Sequence, residues 1–516
     1  MTPFQWALDS KSGARMALFS RLNHQGLLQE IERQQAQISR QSPSQNSNIK
    51  EISKIVSQLS SNELSSELRI SLIKKKALLE RELPVIENSV VEIEQVSEVM
   101  PENSVLIEFQ KYNQIIFSDN NEAIKTKLKY LALILKPNKK IISIDLGPAD
   151  ILENKIKETL FQIKQGSSLQ LKAIKEINNL VINPLFESIG DENIWFISPD
   201  GELNNLPFTI LRSPKNNKLL VEEIKIRNIT TGRDLLKLNK KSKKSSNSSI
   251  VLANPDFDNH EGELTIESGN FSIEQKLSIN LNNKLWDSLP GTQEEGEIIS
   301  EIINAELLTL SKATTLNIQK QNSPQILHIA SHAYYLPDPK NNFSESPDFF
   351  LVQNDSNFLP RRFQSDNPLL RSGVVLAGAN KKNPISNDDG YLTAMEASLL
   401  DLENTELVII SGCESGKGDL KTGEGVYGLK RSIAIAGGKS SILTLWKVDD
   451  MATAAFMESF YKRLKSGNSR EDALLLTQKD FRLGVIKNPS EIDNNWDKPF
   501  YWASFNLTGD WKQIDL

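Results

Sequence analysis

Short apolar runs alternate with amphipathic segments along most of this chain, and that alternation limits the folds open to it. The runs are rich in β-branched side chains and are bounded by Gly, Pro, Asn or Asp. Among them are "NIWFIS", "SSIVLANP", "PQILHIAS", "SGVVLAGAN" and "TELVIISG". Strands without regular polar interruptions are typical of sheets that are covered on both faces. The sequence therefore predicts an α/β fold, in which strands and helices follow each other along the chain.

The start of the chain has a different pattern and is predicted to form an N-terminal helical segment, residues 1–100. Apolar residues recur at helical intervals over residues 12–40, and "QSPSQNSN" then interrupts them with residues that favour turns. The same periodicity resumes at Ile49 and ends near Pro84. This predicts one or two further helices, with an antiparallel hairpin as one arrangement. We interpret the segment as a scaffold or a partner-binding arm.

A lysine- and serine-rich stretch, "KLNKKSKKSSNSSI", marks a boundary near the middle of the chain. It cannot bury an apolar face and is predicted to be a solvated linker over residues 237–249. Its lysines are not interleaved with aromatic residues, so a linker is favoured over a patch that binds nucleic acid. The linker separates residues 101–236 from residues 250–516.

Composition narrows the kind of site that the chain can contain. The 516 residues carry a formal net charge of −6, which favours neither nucleic acid nor an anionic membrane as a partner. One cysteine excludes an intrachain disulfide and a cysteine-rich metal centre, and four histidines leave few metal ligands. No metal and no cofactor are therefore predicted.

The expected location is the cytoplasm. The start "MTPFQWALDSKSGARM" lacks the apolar core of a signal peptide. No apolar run reaches the roughly 18 residues that span a bilayer. Reducing conditions would also keep a single thiol free.

Two chemically capable side chains follow predicted strands. His332 follows "QILHIAS", and Cys413, the only cysteine, follows "ELVIISG". Ligands of open, mostly parallel sheets bind at the carboxyl ends of the strands, so both side chains are predicted to lie at one edge. His328 lies inside its strand and is predicted to be a packed core residue, hydrogen-bonded to backbone or water. The sequence therefore singles out His332 and Cys413 as the pair.

This pair suits acyl transfer, in which a thiolate attacks a carbonyl carbon while a histidine moves the proton. A lone cysteine is more often buried and inert than catalytic. Cys413 lies, however, in the polar, glycine-rich "SGCESGKG", where the backbone can approach a substrate. The backbone N–H groups of Ala333 and Cys413 are the candidate donors for an oxyanion hole.

With these motifs, the chain resembles the CHAT family, bacterial relatives of caspases, metacaspases and separase. "LHIASHA" is similar to the family's strand-plus-histidine motif, and "ISGCESGKG" is similar to its cysteine motif. Other stretches follow in the family's order and spacing, among them "LPGTQEEGEII", "DDGYLTAMEASLLDL", "GEGVYGLKRSIAIAGGKSSILTLWKVDDMAT" and "KPFYWASFNLTGDW". The resemblance covers roughly residues 100–516, and the joint specificity of the motifs is high.

The resemblance implies a caspase-like α/β/α sandwich, with a degenerate half at 101–236 and an active protease domain at 250–516. It implies cysteine endopeptidase activity, with Cys413 as the nucleophile and His332 as the catalytic histidine. Many members have Gly where this chain has Ala333. That change keeps the backbone donor and could narrow the oxyanion pocket.

The expected substrate pocket departs from that of the metacaspases. Their acidic residue two positions before the cysteine is replaced by Ser411, so a preference for Arg or Lys does not carry over. Asp388, Asp389 and Glu414 are the residues that could supply the charge instead. The alternative, which we favour, is that they are solvated turn residues.

The resemblance also implies control by other proteins. Family members are frequently joined to tetratricopeptide repeats or other sensors. An activating sensor or a co-encoded partner protein is therefore expected beside a protein or peptide substrate, with neither nucleic acid nor a membrane as partner. Residues 336–370 are predicted to form long loops at the substrate edge, where activation could act. Two rivals stay open: a catalytically silent caspase-fold signalling scaffold, and a thiol hydrolase or transferase that acts on a non-peptide acyl group.

Overall fold

The structure is a computed structural model of the 516-residue chain. It describes residues 3–24, 26–41, 47–60, 66–81, 90–117, 123–240, 245, 247–258, 286–335, 368–381, 388–412, 415, 419–421, 425–447, 449–488 and 496–516. Cys413, Glu414 and most of the predicted loops 336–370 lie outside the described residues. So do several residues of the predicted linker 237–249.

The helices are numbered here in chain order. They are α1 (Pro3–Trp6), α2 (Lys11–His24), α3 (Leu27–Gln41), α4 (Ser47–Ser60), α5 (Ser66–Arg81), α6 (Ile93–Glu98), α7 (Ala149–Lys164), α8 (Gln170–Ile189), α9 (Arg233–Leu238), α10 (Pro290–Ile303), α11 (Thr315–Gln319), α12 (Ala394–Ala397), α13 (Leu429–Ile435), α14 (Asp450–Lys465), α15 (Arg470–Arg482) and α16 (Pro499–Trp502). Two helix starts have a side-chain cap. The Asp449 carboxylate accepts a backbone N–H at the start of α14, and the Ser469 hydroxyl does so at the start of α15. Each satisfies a donor that the helix itself leaves free.

The strands are numbered in the same way. They are β1 (Ser104–Phe117), β2 (Ala123–Leu135), β3 (Ile141–Pro148), β4 (Ile194–Ser198), β5 (Lys225–Asn228), β6 (Ile250–Pro255), β7 (Glu306–Leu310), β8 (Ile326–Ala330), β9 (Ala333–Tyr335), β10 (Ser372–Val375), β11 (Tyr391–Thr393), β12 (Leu407–Ile410), β13 (Asp419–Lys421), β14 (Gly425–Tyr427), β15 (Ser440–Thr444) and β16 (Phe505–Gly509).

One eleven-stranded sheet runs through the described part of the chain. Its order is β3-β2-β1-β4-β5-β16-β15-β12-β8-β6-β7. Neighbours from β15 to β7 pair in parallel, whereas β16 is antiparallel to β15 and β2 is antiparallel to both of its neighbours. The run "SGVVLAGAN" contributes β10, which pairs with β9 and β11 in a separate sheet. An apolar run therefore predicted the strand but not the sheet to which it belongs.

Helices cover both faces of the large sheet. On one face, Val105, Ile107 and Phe109 of β1 pack in a core with α7, α8, α10, α14 and α15. On the other face, Leu106 packs with α2, α6 and α9, and strands of the second half pack with α11, α12 and α13. Successive side chains of a strand point to opposite faces, so each apolar strand serves both layers. The predicted α/β fold, with a sheet between two layers of helices, is confirmed.

The N-terminal helix α2 is built into this fold. Arg21 of α2 is fully buried, and its Nε lies 3.0 Å from Glu108 Oε2 in β1. Its Nη1 donates to the side chain of Gln110 at 3.2 Å. Glu108 also accepts the backbone N–H of Gly232 at 2.6 Å. Because breaking a buried ion pair leaves an uncompensated charge, separation of α2 from the sheet would be strongly destabilising.

The same sheet joins residues 101–236 to residues 250–516, because β16 pairs with β5 of the first half. At the predicted linker 237–249, α9 extends to Leu238 and β6 begins at Ile250. Between them, Asn247 donates a hydrogen bond to the carbonyl oxygen of Asn322 at 2.5 Å. The division of the chain into an N-terminal segment, two halves and a linker stays a prediction.

Candidate active site

His332 lies two residues beyond the carboxyl end of β8 and directly before β9. Ser411 and Gly412 follow the carboxyl end of β12, which pairs in parallel with β8. The ends of two paired parallel strands lie at the same edge of a sheet. The structure therefore brings the histidine and the two residues before Cys413 to one edge.

The imidazole of His332 is held by two aromatic rings and one carbonyl group. Its ring centroid is 5.3 Å from that of Phe257 and 5.2 Å from that of Trp286. Its Nε2 is 2.9 Å from the carbonyl oxygen of Asp287. A carbonyl oxygen can only accept, so Nε2 carries a proton and Nδ1 of the neutral ring keeps its lone pair. The surroundings thus leave Nδ1 as the basic nitrogen.

Burial lowers the pKa of His332 below its ordinary value of 6.5. The hydrogen bond to the Asp287 carbonyl and the charge of the Asp287 carboxylate act in the opposite direction, whereas the ammonium of Lys447 lowers the pKa further. The neutral ring is therefore favoured at pH 7. A general base requires that form.

Gly412 packs directly against the backbone on both sides of His332. A Cβ on Gly412 would lie 2.4 Å from the carbonyl oxygen of Ser331 and 3.1 Å from the backbone nitrogen of Ala333. It would also lie 3.0 Å from the Cβ of Ala333. Only a residue without a side chain fits this approach. The residue before Cys413 therefore touches the segment that carries the histidine.

The residues that flank Cys413 and Glu414 are held by hydrogen bonds. The hydroxyl of Ser415 donates to the carbonyl oxygen of Ile410 at 2.8 Å and accepts the backbone N–H of Thr444 at 2.9 Å. The hydroxyl of Thr444 donates to the carbonyl oxygen of Gly412. Both ends of this short stretch are thus anchored. Since Cys413 and Glu414 are outside the described residues, the dyad with His332 stays a prediction.

Strand register orients the backbone of Ala333. β9 pairs with β10 so that Ala333 lies opposite Val374, and the N–H of Val375 donates to the carbonyl oxygen of His332 at 2.8 Å. Bonded and non-bonded positions alternate in an antiparallel pair, so the N–H of Ala333 points away from β10. An oxyanion donor needs such an N–H, turned away from the sheet ladder. The oxyanion hole of Ala333 and Cys413 stays a prediction.

His328 is fully buried in the core, as the sequence predicts. The prediction that it bonds to backbone or water is wrong, because its ring points into the layer of helices. Its Nε2 lies 3.0 Å from Glu295 Oε1, and its Nδ1 lies 3.1 Å from the hydroxyl of Tyr461. The hydroxyl of Ser411 is 3.4 Å from the same Nε2. This network joins α10, β8 and α14 to the residue two positions before Cys413.

A small cavity lies between the end of β12 and the start of α14. It has a volume of about 20 Å³, and its lining includes Ser411, Gly412 and Asp450. A volume of this size holds about one water molecule. The Asp450 carboxylate has no hydrogen-bond partner within the ranges that the structure describes. Asp450 was not among the site residues predicted from the sequence, although the two acidic residues after the strand in "LWKVDD" were an available signal.

Burial raises the pKa of the Asp450 carboxyl above its ordinary value. The negative charges of Asp449 and Glu295 raise it further, and the ammonium of Lys447 lowers it. A buried carboxylate of this kind gains from a cation, because opposite charge offsets the loss of hydration. A positive group beside Asp450 would therefore offset part of the cost of burying its charge.

The predicted acidic candidates Asp388 and Asp389 bind backbone groups. Asp388 accepts the N–H of Leu316 at 3.0 Å, at the start of α11, and the N–H of Gly390 at 3.1 Å. Asp389 accepts the N–H of Tyr391 at 3.1 Å. Such contacts are those of turn residues. A part for either carboxylate in substrate binding stays a prediction.

The described residues contain no group of three or more His, Cys, Asp or Glu side chains suited to holding a metal ion. Within the same ranges, no helix combines the length and the apolar character needed to cross a bilayer.

Comparison with models of protein families identifies the family of this chain. A family model described as "CHAT domain" matches residues 171–510, which is more than half of the chain. The chain belongs to the CHAT domain family. The resemblance seen in the sequence motifs is thereby confirmed. Positions 332 and 413 both fall within the matched part of this CHAT protein.

Curated relatives of this CHAT protein occur in mammals. It is 22% identical over 371 residues to the human protein named "Tetratricopeptide repeat protein 28", a match that covers 67% of this chain and 13% of the relative. The mouse protein of the same name is 23% identical over 376 residues, which covers 67% of this chain and 14% of the relative. The chain thus spans only about a seventh of the length of the curated relatives it matches.

Two solved structures of the Saccharomyces cerevisiae separase–securin complex are also similar. One has a TM-score of 0.40 at 9% identity and covers 88% of this CHAT protein and 33% of the other chain. The other has a TM-score of 0.41 at 9% identity and covers 96% and 37%.

Proposed function

We propose that this CHAT protein is a cysteine endopeptidase in which Cys413 is the nucleophile and His332 is the general base and acid. The observation that carries the proposal is the close packing of Gly412 against Ser331 and Ala333, because it brings the residue before Cys413 beside the histidine. The basic Nδ1 of His332 supports the same pairing. Membership in the CHAT family supports a caspase-like protease.

In the proposed reaction, Nδ1 of His332 accepts the proton of the Cys413 thiol, and the thiolate attacks the carbonyl carbon of the scissile peptide bond. The oxyanion that forms accepts hydrogen bonds from the N–H groups of Ala333 and Cys413. The imidazolium gives its proton to the leaving amine, and a thioester remains. His332 then takes a proton from the water molecule that attacks the thioester, and release of the carboxylic acid restores the thiol.

We further propose that Asp450 recognises the substrate side chain that precedes the scissile bond. Its carboxylate lines the small cavity beside Ser411 without a hydrogen-bond partner among the described residues, and burial raises its pKa. A Lys or Arg side chain would offset that buried charge. Because the cavity holds only about 20 Å³, a bound side chain has to widen it. Asp388, Asp389 and Glu414 are the alternatives to Asp450.

A protein partner or sensor is proposed to regulate the enzyme. The curated relatives are named for tetratricopeptide repeats, which supports a partnership between this domain and other protein modules. Within the chain, Glu32 of α3 lies 2.8 Å from the guanidinium of Arg431 in α13. A partner that moved the N-terminal helices would therefore move α13. We also propose a cytoplasmic location, where Cys413 would stay reduced.

Digestion of a peptide library by the full chain tests the proposed activity. We expect cleavage by the wild-type protein and none by Cys413→Ala or His332→Ala. The matched control is His24→Gln, which alters an exposed histidine of α2 and should keep full activity. An activity-based peptide probe that alkylates thiols, followed by mass spectrometry, detects a reactive Cys413 even if the enzyme needs an activator to cleave peptides. Absence of both cleavage and labelling at Cys413 would overturn the proposal.

The alternative is a catalytically silent caspase-fold signalling scaffold. One observation favours it: the curated relatives are named for their repeats and not for proteolysis. Under this alternative, the wild-type protein and Cys413→Ala would be equally inactive on the library. A hydrolase or transferase for non-peptide acyl groups would instead label with the probe at Cys413 and leave every peptide intact.

A further inference from the structure

A large cavity lies at the opposite edge of the sheet from His332, and we call it the α3–α13 cavity. Its lining includes Gln325, Glu406 and Ser440, which lie at the amino ends of β8, β12 and β15. It also includes Pro199 and Ile229, each of which directly follows the carboxyl end of a strand of the first half, β4 or β5. Ligands of open α/β sheets bind at carboxyl ends of strands. The first half therefore presents a binding edge of its own.

The size and charge of the α3–α13 cavity suit a small anionic molecule. Its volume is about 960 Å³, near the upper end of the roughly 300–1,000 Å³ typical of small-molecule sites. Helices α3, α9 and α13 contribute to its walls. Of its described lining residues, nine are Lys or Arg and six are Asp or Glu, although the whole chain has a net charge of −6. The cavity reverses the charge balance of the protein.

Several of these cations already have carboxylate partners. Such pairs include Arg33 with Glu30, Lys439 with Glu406 and Arg470 with Glu406. Lys430 of α13 differs, because no hydrogen bond or ion pair joins its ammonium to any residue that the structure describes. It is a basic group of the cavity that is still available to a ligand.

Lys430 is half-buried, and its surroundings remove part of the hydration of its ammonium. Burial lowers the pKa of Lys430 to about 8, and the Asp234 carboxylate acts in the opposite direction. That carboxylate also accepts the backbone N–H of Thr230 at 2.9 Å and that of Thr231 at 3.3 Å. A desolvated cation gains more from a bound anion than an exposed cation does. Lys430 therefore favours an anionic group placed beside it.

Two further lining residues have polar atoms without a bond among the described residues. Arg470 is 1% exposed, and its Nε–H has no acceptor. The side-chain oxygen of Gln34 is buried without a donor. Buried polar atoms are nearly always satisfied, so an exception in the lining of a cavity indicates a place where another molecule completes the bonding.

We propose that the α3–α13 cavity binds a small organic anion of nucleotide size, with a phosphate or carboxylate group in contact with Lys430. The side chains of Leu236, Leu238 and Ile433 in the same lining suit a ring or another apolar part of that molecule. Since Gln34 lies on α3 and Lys430 on α13, the ligand would join the N-terminal helical segment to the helix that follows the Cys413 segment. This binding does not depend on protease activity.

Titration calorimetry and thermal unfolding of the full chain test the proposal. The probes are AMP, ATP, glucose 6-phosphate and citrate, with adenosine and glucose as uncharged counterparts. We expect at least one anion to bind saturably and to raise the Tm, and its uncharged counterpart to bind at least about tenfold more weakly. Lys430→Gln should weaken binding of the anion by at least about tenfold. Lys320→Gln, which removes an exposed lysine outside the lining, should leave the affinity unchanged.

Acetylation of lysines, measured by mass spectrometry, locates the bound anion in the wild-type protein. It therefore does not depend on whether the Lys430→Gln variant folds. In the wild-type protein the bound anion should protect Lys430 and leave Lys320 as reactive as before. Three results would overturn the proposal: no saturable binding by any of the four anions, equal binding by an anion and its uncharged counterpart, or undiminished binding by Lys430→Gln.

Discussion

Gly412 lies so close to Ser331 that a Cβ on the glycine would be 2.4 Å from the serine carbonyl oxygen. This contact joins two segments whose contacting residues are 81 positions apart in the sequence. One segment carries His332, and the other continues into Cys413. The proposed chemistry depends on this approach, because a histidine can serve a thiol only across a short distance.

Substitution of Gly412 should disturb both stability and reactivity. In Gly412→Ala, the added methyl has to push the backbone of Ser331 or Ala333 aside, which we expect to cost about 1–3 kcal/mol of unfolding free energy. Cys413 should also react more slowly with iodoacetamide. Urea unfolding and the alkylation rate check the two effects, and the single cysteine makes the rate unambiguous.

Gly484→Ala is the matched control for that substitution. A Cβ at Gly484 meets nothing within 4 Å, but φ is +65 there, so the control costs stability through backbone strain alone. It should leave the alkylation rate of Cys413 unchanged. Wild-type stability and wild-type reactivity in Gly412→Ala would show that the contact is not needed.

Loss of His328 should be severely destabilising. His328→Ala leaves the Glu295 carboxyl buried without its 3.0 Å partner, a situation that costs about 3–5 kcal/mol when the pair is ionic. Tyr461→Phe removes only the hydroxyl that contacts Nδ1 of the His328 imidazole. It should cost about 1 kcal/mol of unfolding free energy. Denaturant unfolding measures both. Equal and small losses would show that the network adds little to stability.

The fold could be predicted in outline because its strands are apolar throughout. Runs such as "QILHIAS" have to be buried on both faces, and this implies a sheet between helices. The docking of α2 through Arg21 could not be predicted, since helical periodicity reveals which face is buried and not what covers it. The separate sheet of β10 was missed for a similar reason. An apolar run predicts a strand but does not indicate which strand pairs with it.

The pKa of His332 is expected to respond to Lys447. Burial and the Lys447 ammonium both disfavour the imidazolium, and the carbonyl and carboxylate of Asp287 favour it. Lys447→Gln should therefore raise the pKa of His332 toward 6.5. NMR titration of the ring in a Cys413→Ala background, which removes any thiolate charge, measures the shift. Lys320→Gln is the control, and an equal shift there would contradict the local account.

The same pKa shift has a consequence for stability. The unfolded chain takes up a proton at His332 near the ordinary value of 6.5, and the folded chain does so only at lower pH. The stability that comes from neutral His332 is therefore present above pH 6.5 and is lost as the pH falls through the folded value. The unfolding free energy of the wild-type protein should therefore fall relative to that of His332→Gln as the pH drops below 6.5, which unfolding curves of both proteins measure.

Substrate selectivity should depend on Asp450. Asp450→Asn removes the charge that lines the small cavity, so cleavage after Lys or Arg should fall by about tenfold or more relative to cleavage after neutral residues. Asp449→Asn is the matched control, because it removes a charge one position away and keeps a good helix cap. Equal effects of the two substitutions on a set of peptides would count against Asp450 as the recognition residue.

Only part of the site was within reach of sequence reasoning. His332 and Cys413 could be predicted because each follows an apolar strand of a parallel sheet, and the structure brings Gly412, the residue before Cys413, against Ser331 and Ala333. The contact of His332 with the Asp287 carbonyl could not be predicted, because a backbone oxygen has no signature in the sequence. Ser415 and Thr444, which anchor the ends of the Cys413 stretch, were also missed, because Thr444 bonds to Ser415 and Gly412 across 29 and 32 positions of the sequence.

The most direct test of the account is the pH dependence of Cys413 alkylation in the wild-type protein and in His332→Ala. If His332 serves the thiol, the wild-type rate should rise with an apparent pKa well below the ordinary value of about 8.5 for a cysteine. The profile of His332→Ala should move up toward that value. Identical profiles for the two proteins would contradict the dyad.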